Sequence, residues 1–220
     1  MSRTTLTASL AFALGLAAPA IGPAGAHPHV WVSASAVVEF GAGREVRSIT
    51  VRYTLDELTT AVLIEGLDTN SNGLFEREEL KATAAENAES LSEFDYFVEV
   101  RAGEERVNTP EVTAYDYSYE DGRMVLALQL ALARAIDPAS EDVAIRLYDP
   151  TFYVLVELEQ ENPLLVSGVA ADFCRVIISP PSRSGDGVSI SDAVLQSFDG
   201  EYSIGRDYAD VVALSCGVSG

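Results

Sequence analysis

The stretch VWVSASAVVEF, residues 30–40, decides the fold because its side chains alternate between two faces. Alternation with a period of two residues predicts a strand that buries one face. Here the even-numbered, apolar residues form the core face. Two glycines follow, and the stretch SITVRY at residues 48–53 repeats the alternation. Together the two stretches predict a hairpin of antiparallel strands.

Further short strands are predicted along the rest of the chain. They cover residues 94–101, 112–119, 124–132, 143–148, 152–158, 173–178 and 211–216. Asp121 and Gly122 are typical of a tight hairpin turn, and residues 190–198 carry apolar side chains at helical spacing. Short strands at regular spacing predict an α+β protein with a mainly antiparallel, sandwich-like sheet.

The strand pattern is interrupted at about residues 54–92, where a helix-loop-helix insertion is predicted. The stretch TLDE at residues 54–57 has the T-x-x-E pattern of a capping box. The apolar residues at helical spacing after it are Leu58, Val62 and Leu63. A second helix is predicted from residue 76 or 77 to about residue 90, with a face formed by Leu80, Ala84, Asn87 and Leu91.

Between the two helices, DTNSNGLFEREE at residues 68–79 matches the calcium loop of an EF-hand. The predicted oxygen ligands for Ca²⁺ are the side chains of Asp68, Asn70 and Asn72, the Leu74 carbonyl, Glu76 directly or through water, and Glu79 with both oxygens. Gly73 supplies the turn, which needs a positive φ, and Phe75 is placed to anchor the loop on the core. The alternative is an acidic helical hairpin that binds no metal.

Residues 1–26 have the features of a signal peptide: one basic residue, a short apolar run, helix breakers and an A-x-A cleavage site. Cleavage after Ala26 leaves residues 27–220 as a single periplasmic or secreted domain, and cleavage after Ala20 is the alternative. No later segment reaches membrane-spanning length without a charge or a proline.

The charge of the chain restricts its partners. Acidic residues outnumber basic ones by 34 to 14, which gives a net charge of −20. Because such a chain repels phosphate backbones, nucleic acid is excluded as a partner and cations are favoured. We also predict that the protein is not an enzyme, since it has no G-x-S-x-G motif and no His after His29. Asp116 and Asp149, which lie among tyrosines, more often belong to a strand face than to a catalytic pocket.

The two histidines, His27 and His29, lie at the predicted mature N-terminus. Extended geometry places both imidazoles on the face opposite the core, beside the free α-amine of His27. Nitrogen ligands of this kind suit Zn²⁺, Ni²⁺, Co²⁺ or Cu²⁺ better than Ca²⁺. The alternative is two exposed histidines at a chain terminus.

The two cysteines, Cys174 and Cys216, are predicted to form a disulfide because an exported chain matures in an oxidising compartment. A metal-binding or catalytic thiol pair is the alternative, but no His lies near either Cys in the sequence and no C-x-x-C motif is present.

Several motifs resemble a bacterial family of periplasmic proteins of unknown function. They are AHPHVW at the cleavage site, the DTNSNG loop, FDYF at residues 94–97, YDPTFYV at residues 148–154, and a late Cys. The resemblance covers nearly the whole mature chain. Members of this family are often described as the periplasmic component of an uncharacterised ABC-type transport system.

This resemblance implies a role in the import or handling of zinc, nickel or cobalt together with a membrane metal transporter. It also implies that His27 and His29 are metal ligands, whereas Tyr148, Asp149 and Tyr153 receive no role. We therefore expect a non-enzymatic, metal-binding accessory protein of a transition-metal transport system, with a calcium site in the EF-hand loop. The alternative is a calcium-stabilised interaction module with no transition-metal role and Trp31 as a docking residue.

Overall fold

The computed structural model describes residues 28–109, 111–168, 173–183 and 203–217. Eleven strands are present in this part of the chain, in two sheets. The first sheet contains β1 (Val30–Phe40), β2 (Val46–Leu55), β5 (Glu111–Glu120), β6 (Arg123–Ile136), β8 (Val154–Leu158) and β9 (Leu164–Ser167). The second contains β3 (Val98–Ala102), β4 (Glu105–Val107), β7 (Val143–Leu147), β10 (Cys174–Ser179) and β11 (Val211–Cys216).

The first sheet has the strand order β5-β6-β2-β1-β8, and β9 also pairs with β1. The second has the order β10-β11-β7-β3-β4. Strand pairs within both sheets are antiparallel except that β1 runs parallel to β8 and β9. The prediction of a mainly antiparallel, strand-rich α+β protein is thus confirmed, and the parallel edge is an addition to it.

The predicted hairpin of β1 and β2 is confirmed, with Ala36 opposite Val51 in the register. The core-facing residues of β1 that are buried are Val32, Ala34, Ala36 and Val38. On β2 the predicted face is buried as well, and Ile49 and Val51 are completely enclosed. Buried residues of both sheets and of the longest helix belong to one hydrophobic core.

Within the described ranges the helices are α1 (Glu57–Leu63), α2 (Arg77–Ser92), a 3-10 helix at Asp95–Phe97 and the short α3 (Ile204–Asp207). Helix α2 confirms the predicted second helix, and it packs on β5 through a face that includes buried Leu80 and Ala84.

The prediction for the start of α1 is wrong in two respects. Thr54 lies in β2 and cannot cap the helix, and the N-cap is Asp56, whose carboxylate accepts a hydrogen bond from the Thr59 N–H at 2.9 Å. Leu58 and Val62 do not form a buried face, because their exposed fractions are 75% and 69%. Thr60 is buried instead, and its hydroxyl accepts a hydrogen bond from the Met124 N–H at 3.1 Å.

The prediction of a strand over residues 94–101 is wrong for its first half. Asp95, Tyr96 and Phe97 have φ values of 50°, 56° and 61°, which belong to the left-handed region rather than to a strand. The Tyr96 carbonyl accepts a hydrogen bond from the buried Tyr53 hydroxyl at 2.9 Å, so this turn is fixed against the first sheet. The helix predicted near residues 190–198 lies outside the described residues.

The predicted disulfide is confirmed: Cys174 and Cys216 are bonded and lie opposite each other on β10 and β11. In the chain-entropy model, a closed loop of 42 residues stabilises the fold by about 4 kcal/mol. Among the described residues, no helix combines the length and the apolar character that crossing a bilayer requires.

Candidate functional site

The loop from Asp68 to Glu79 connects α1 to α2 and is exposed along most of its length. Two of its residues have positive φ, Ser71 at 59° and Gly73 at 80°. The prediction that Gly73 provides a left-handed turn is therefore confirmed. A side chain other than Gly, Asn or Asp would strain the backbone at this point.

The first three predicted ligands organise the turn. The Asp68 carboxylate accepts hydrogen bonds from the N–H groups of Asn72 at 3.0 Å and Gly73 at 2.9 Å. The Asn70 side-chain oxygen also accepts from the Asn72 N–H at 3.0 Å. The Asn72 side-chain oxygen accepts from the Leu74 N–H at 2.7 Å. Backbone N–H groups of the loop thus hold the side-chain oxygens of Asp68, Asn70 and Asn72 in place.

The two glutamates close the loop from its far end. Glu79 Oε1 accepts hydrogen bonds from the Thr69 N–H at 2.8 Å and the Thr69 hydroxyl at 2.9 Å. Glu79 Oε2 accepts from the Glu76 N–H at 3.3 Å. The Glu76 carboxylate accepts from the amide groups of Asn70 at 3.3 Å and Asn72 at 2.6 Å. The five predicted side-chain ligands therefore share one hydrogen-bonded loop.

The loop contains four carboxylates, on Asp68, Glu76, Glu78 and Glu79, and one basic residue, Arg77, which pairs with Asp116 of β5. Contact with the Glu76 side chain, together with hydrogen bonds from Thr69, Glu76 and Asn70, lowers the pKa of Glu79 to about 2. Within the described part of the chain, no three His, Cys, Asp or Glu side chains are grouped to hold a metal ion. A cation here would therefore need amide and carbonyl oxygens in addition to carboxylates.

The loop is fixed to the first sheet at its C-terminal end. The Phe75 ring packs on the Tyr119 ring of β5, with 4.8 Å between the ring centroids. Arg77 at the start of α2 donates to the Asp116 carboxylate of β5, with Nε at 3.1 Å. The predicted anchoring role of Phe75 is confirmed, and Asp116 is engaged in an ion pair between the helix and the sheet.

The histidine-rich N-terminal motif is only partly described, since His27 lies outside the described residues. His29 precedes β1, and its N–H donates to the Tyr153 carbonyl at 2.9 Å. The His29 and Tyr153 rings lie 4.8 Å apart between centroids. Because β1 and β8 pair in parallel from Val30 and Val154 onward, residues 29–31 of the HPHVW motif lie beside the end of the YDPTFYV motif at one end of the sheet.

Asp149 organises the YDPTFYV turn. Its side chain is buried, and its carboxylate accepts hydrogen bonds from the Thr151 N–H at 2.7 Å and the Val154 N–H at 2.9 Å. It also accepts from the Thr151 hydroxyl. Every one of these donors belongs to the turn itself, so the contacts assign Asp149 a structural role.

Tyr148 belongs to a network around Glu99, which is only 4% exposed. The Tyr148 hydroxyl donates to the Glu99 carboxylate at 2.9 Å, as does Arg146 Nη1 at 2.9 Å. Arg206 Nε contacts both carboxylate oxygens at 3.2 Å. Burial raises the pKa of Glu99, but the hydrogen bonds from Arg206 and Tyr148 and the charges of both arginines outweigh it, so the pKa lies below its ordinary value.

Sequence reasoning missed this network because its members are distant in the chain. Glu99 and Arg206 are separated by 107 residues, and only the pairing of β3 with β7 places Arg146 opposite Glu99. Burial and the Glu99 charge raise the pKa of Tyr148 to about 12, so its hydroxyl stays a donor at neutral pH.

Comparison with known proteins gives a family and one curated relative. An uncharacterised 15.5 kDa protein in the trpE 3′ region of Spirochaeta aurantia is 28% identical over 97 residues, which span 44% of this chain and 69% of that protein. The sequence profile of DUF1007, a family of proteins of unknown function, matches residues 10–216. The chain therefore belongs to the DUF1007 family.

Proposed function

We propose that this protein is an exported metal-binding accessory of a transition-metal transport system, and that the loop at residues 68–79 is its calcium site. The loop geometry carries the calcium part of this proposal. Five oxygen-bearing side chains spaced along twelve residues share one hydrogen-bonded turn. Ca²⁺ takes six to eight oxygen ligands in a flexible shell, and this loop offers carboxylate, amide and carbonyl oxygens.

The proposed ligands are the side chains of Asp68, Asn70, Asn72, Glu76 and Glu79 and the carbonyl of Leu74. A carboxylate has about four lone-pair positions and an amide oxygen has two. The hydrogen bonds in the loop therefore leave acceptor capacity for a cation. With two neutral Asn ligands, the affinity should be in the range of extracellular calcium modules, whose dissociation constants are roughly 0.1 to 1 mM.

Calcium bound in this loop would increase the stability of the folded protein. The loop joins α1 to α2 and is fixed to β5 through Phe75 and Arg77, so a bound cation would neutralise its carboxylates without moving the sheet. A ligand present at a hundredfold excess over its dissociation constant raises the free energy of unfolding by about 2.7 kcal/mol.

Thermal denaturation tests the calcium site. We expect the melting temperature of the mature protein to rise in millimolar CaCl₂, with little response to MgCl₂ at the same concentration. The Glu79→Gln variant should lose the calcium-dependent part of the rise. Glu78→Gln is the matched control, because Glu78 lies in the same helical turn and is not among the proposed ligands. Equal melting curves of the wild type with and without calcium would reject the site.

Transition-metal binding at His27 and His29 is the second part of the proposal. Its support is the position of His29, whose backbone is fixed to Tyr153 at the end of the sheet where the two family-like motifs meet. Cleavage after Ala26 would add the α-amine of His27 as a third nitrogen ligand. The metals that suit such ligands are zinc, nickel, cobalt and copper.

Titration with Zn²⁺, Ni²⁺ and Cu²⁺ tests this second site. We expect binding by protein that begins at His27, and weaker binding when an extra residue precedes His27 or when His29 is replaced by Ala. Affinity should fall as the pH approaches 6, because the imidazole and amine must be deprotonated to coordinate. Calcium binding should be unaffected. N-terminal mass analysis that finds Ile21 as the first residue would remove the α-amine from the site.

The alternative function is a calcium-stabilised interaction module with no transition-metal role. Trp31 favours this alternative, since its side chain is 49% exposed at the same end of the sheet. Elemental analysis of protein purified from its native compartment distinguishes the two functions. Calcium alone supports the module, and calcium with a transition metal supports the accessory protein.

A further inference from the structure

A pocket of about 490 Å³ lies on the second sheet, and basic side chains line it although the protein is acidic. Three arginines line it, Arg101 on β3, Arg106 on β4 and Arg206 on α3. The acidic side chains in its lining are Asp95 and Glu99. Three positive charges against two negative ones leave this pocket positive in a chain whose net charge is −20.

The arrangement of Arg101 and Arg106 carries an electrostatic cost. The two residues are direct partners in the antiparallel pairing of β3 and β4, and like charges directly opposite each other in a sheet are destabilising. Arg106 is compensated by Asp95, at 2.8 Å from Nη2. In the described part of the chain Arg101 has no carboxylate partner, and its guanidinium donates to the Glu104 carbonyl.

Arg206 is held through its Nε, so its two terminal nitrogens can donate hydrogen bonds to a ligand. Its Nε is fixed by Glu99, which is itself held by Arg146 and Tyr148. Its terminal nitrogens make no hydrogen bond to a described residue, and the side chain is 40% exposed. A guanidinium fixed at one edge presents a preorganised fork of N–H donors, which matches the oxygens of a carboxylate or a phosphate.

We propose that this pocket binds a small organic anion through a carboxylate or phosphate group, with Arg101, Arg106 and Arg206 as the recognising residues. Its lining also contains Phe94, Val98 and Pro150, which provide apolar contacts for the carbon skeleton of such a ligand. The pocket volume lies in the range of small-molecule sites. Binding would relieve the repulsion between Arg101 and Arg106. The lining shares no residue with the loop at residues 68–79 and does not include His29, so the proposal does not rest on the calcium site.

Calorimetry and thermal denaturation with calcium-free protein test the site. Citrate and inorganic phosphate are the two probes, each compared with NaCl at equal ionic strength. We expect at least one probe to raise the melting temperature beyond the NaCl control and to bind with measurable heat. A response to citrate alone assigns a carboxylate ligand, and a response to phosphate alone assigns a phosphorylated one. Failure of both probes overturns the proposal.

Two variants and one control locate the binding. Arg101→Gln and Arg106→Gln should each raise the dissociation constant by about tenfold, since each removes hydrogen bonds to a charged group. Arg52→Gln is the control, because Arg52 also pairs with one carboxylate, and its side chain is 41% exposed, like that of Arg106. Equal weakening by the control would show non-specific charge attraction and overturn the proposal.

Ligand-free melting separates recognition from a structural role. Arg101→Gln should melt at or above the wild-type temperature without ligand, because it removes the repulsion from Arg106. A lower melting temperature combined with unchanged anion binding would show that Arg101 supports only the fold, and would overturn the proposal.

Discussion

The loop at residues 68–79 and the Glu99 network both bring carboxylates together with their partners, but they do so in opposite ways. The loop draws its proposed ligands from twelve consecutive residues, most of which are exposed. The network joins residues separated by 47, 49 and 107 positions around a carboxylate that is almost fully enclosed. One is a product of local sequence, and the other exists only after the second sheet has formed.

The two regions also differ in how their charge is balanced. Glu99 contacts two arginines, so the fold itself supplies the cations. Three of the loop's four acidic side chains, those of Asp68, Glu76 and Glu79, are held by N–H and hydroxyl donors, and none of the three pairs with a basic side chain in the described part of the chain. The network should therefore stabilise the protein without any ion, whereas the loop should depend on an external cation.

Replacing Glu99 is the change with the largest expected effect. In Glu99→Gln the shape is nearly conserved, but Arg146 and Arg206 lose their common counter-charge. Removing one partner of a buried ion pair leaves an uncompensated charge, so we expect the free energy of unfolding to fall by about 3 kcal/mol. Urea denaturation, with and without calcium, measures this loss.

The loss in Glu99→Gln should be the same in both solutions, which separates the network from the loop. Glu157→Gln on β8 is the control, because Glu157 is exposed, and a surface change of this kind alters stability by less than about 0.5 kcal/mol. A loss in Glu99→Gln no greater than that of the control would show that the network contributes nothing to stability.

A second substitution disturbs the network without removing a charge. A Cβ atom on Gly205 would collide with the Asp149 carbonyl oxygen, which is backbone and cannot rotate away. Gly205→Ala should therefore push α3 and Arg206 away from the YDPTFYV turn, at a cost of about 2 kcal/mol. Thermal denaturation compares it with Gly217→Ala, where a Cβ atom would meet nothing within 4 Å. Equal melting of the two variants would contradict the close packing of α3.

The fold could be predicted from the sequence where apolar side chains recur at a regular spacing and so mark the buried face of a strand or helix. The β1 and β2 stretches alternate cleanly, and their buried faces are the predicted ones. Periodicity does not tell which strand lies next to β1, so the parallel pairing with β8 and β9 was missed. That pairing depends on the turn that Asp149 organises and on contacts distant in the chain.

The orientation of α1 about its own axis was also not predictable from the spacing of its apolar residues. Apolar spacing favoured burial of Leu58 and Val62, but the hydrogen bond between the Thr60 hydroxyl and the Met124 N–H turns another face toward the sheet. This hydrogen bond pairs a buried N–H that would be costly to leave unpaired, and apolar spacing carries no information about it. The turn at residues 68–79 was predictable for the opposite reason, since its hydrogen bonds are local, whereas calcium binding there stays a prediction.

The smallest expected effect is the pH dependence of the stability that the loop contributes. This dependence should vanish when Glu79 is replaced, which distinguishes the loop from the Glu99 network. Hydrogen bonds with the Glu76 side chain, with Thr69 and with backbone N–H groups lower the pKa of Glu79 from 4.5 to about 2. A group whose pKa is depressed in the folded state stabilises the protein above its unfolded pKa and loses this contribution as the pH falls. The contribution of Glu79 should therefore be complete above about pH 4.5 and disappear between pH 4.5 and 2.

Melting temperatures of calcium-free protein between pH 6 and 2 measure this contribution. The difference between the wild type and Glu79→Gln should shrink across that window, whereas Glu78→Gln should follow the wild type. In the proposed site protons and calcium compete for the Glu79 carboxylate, so added calcium should move the window to lower pH. A difference that stays constant from pH 6 to 2 would mean that the Glu79 carboxylate does not close the loop through its charge.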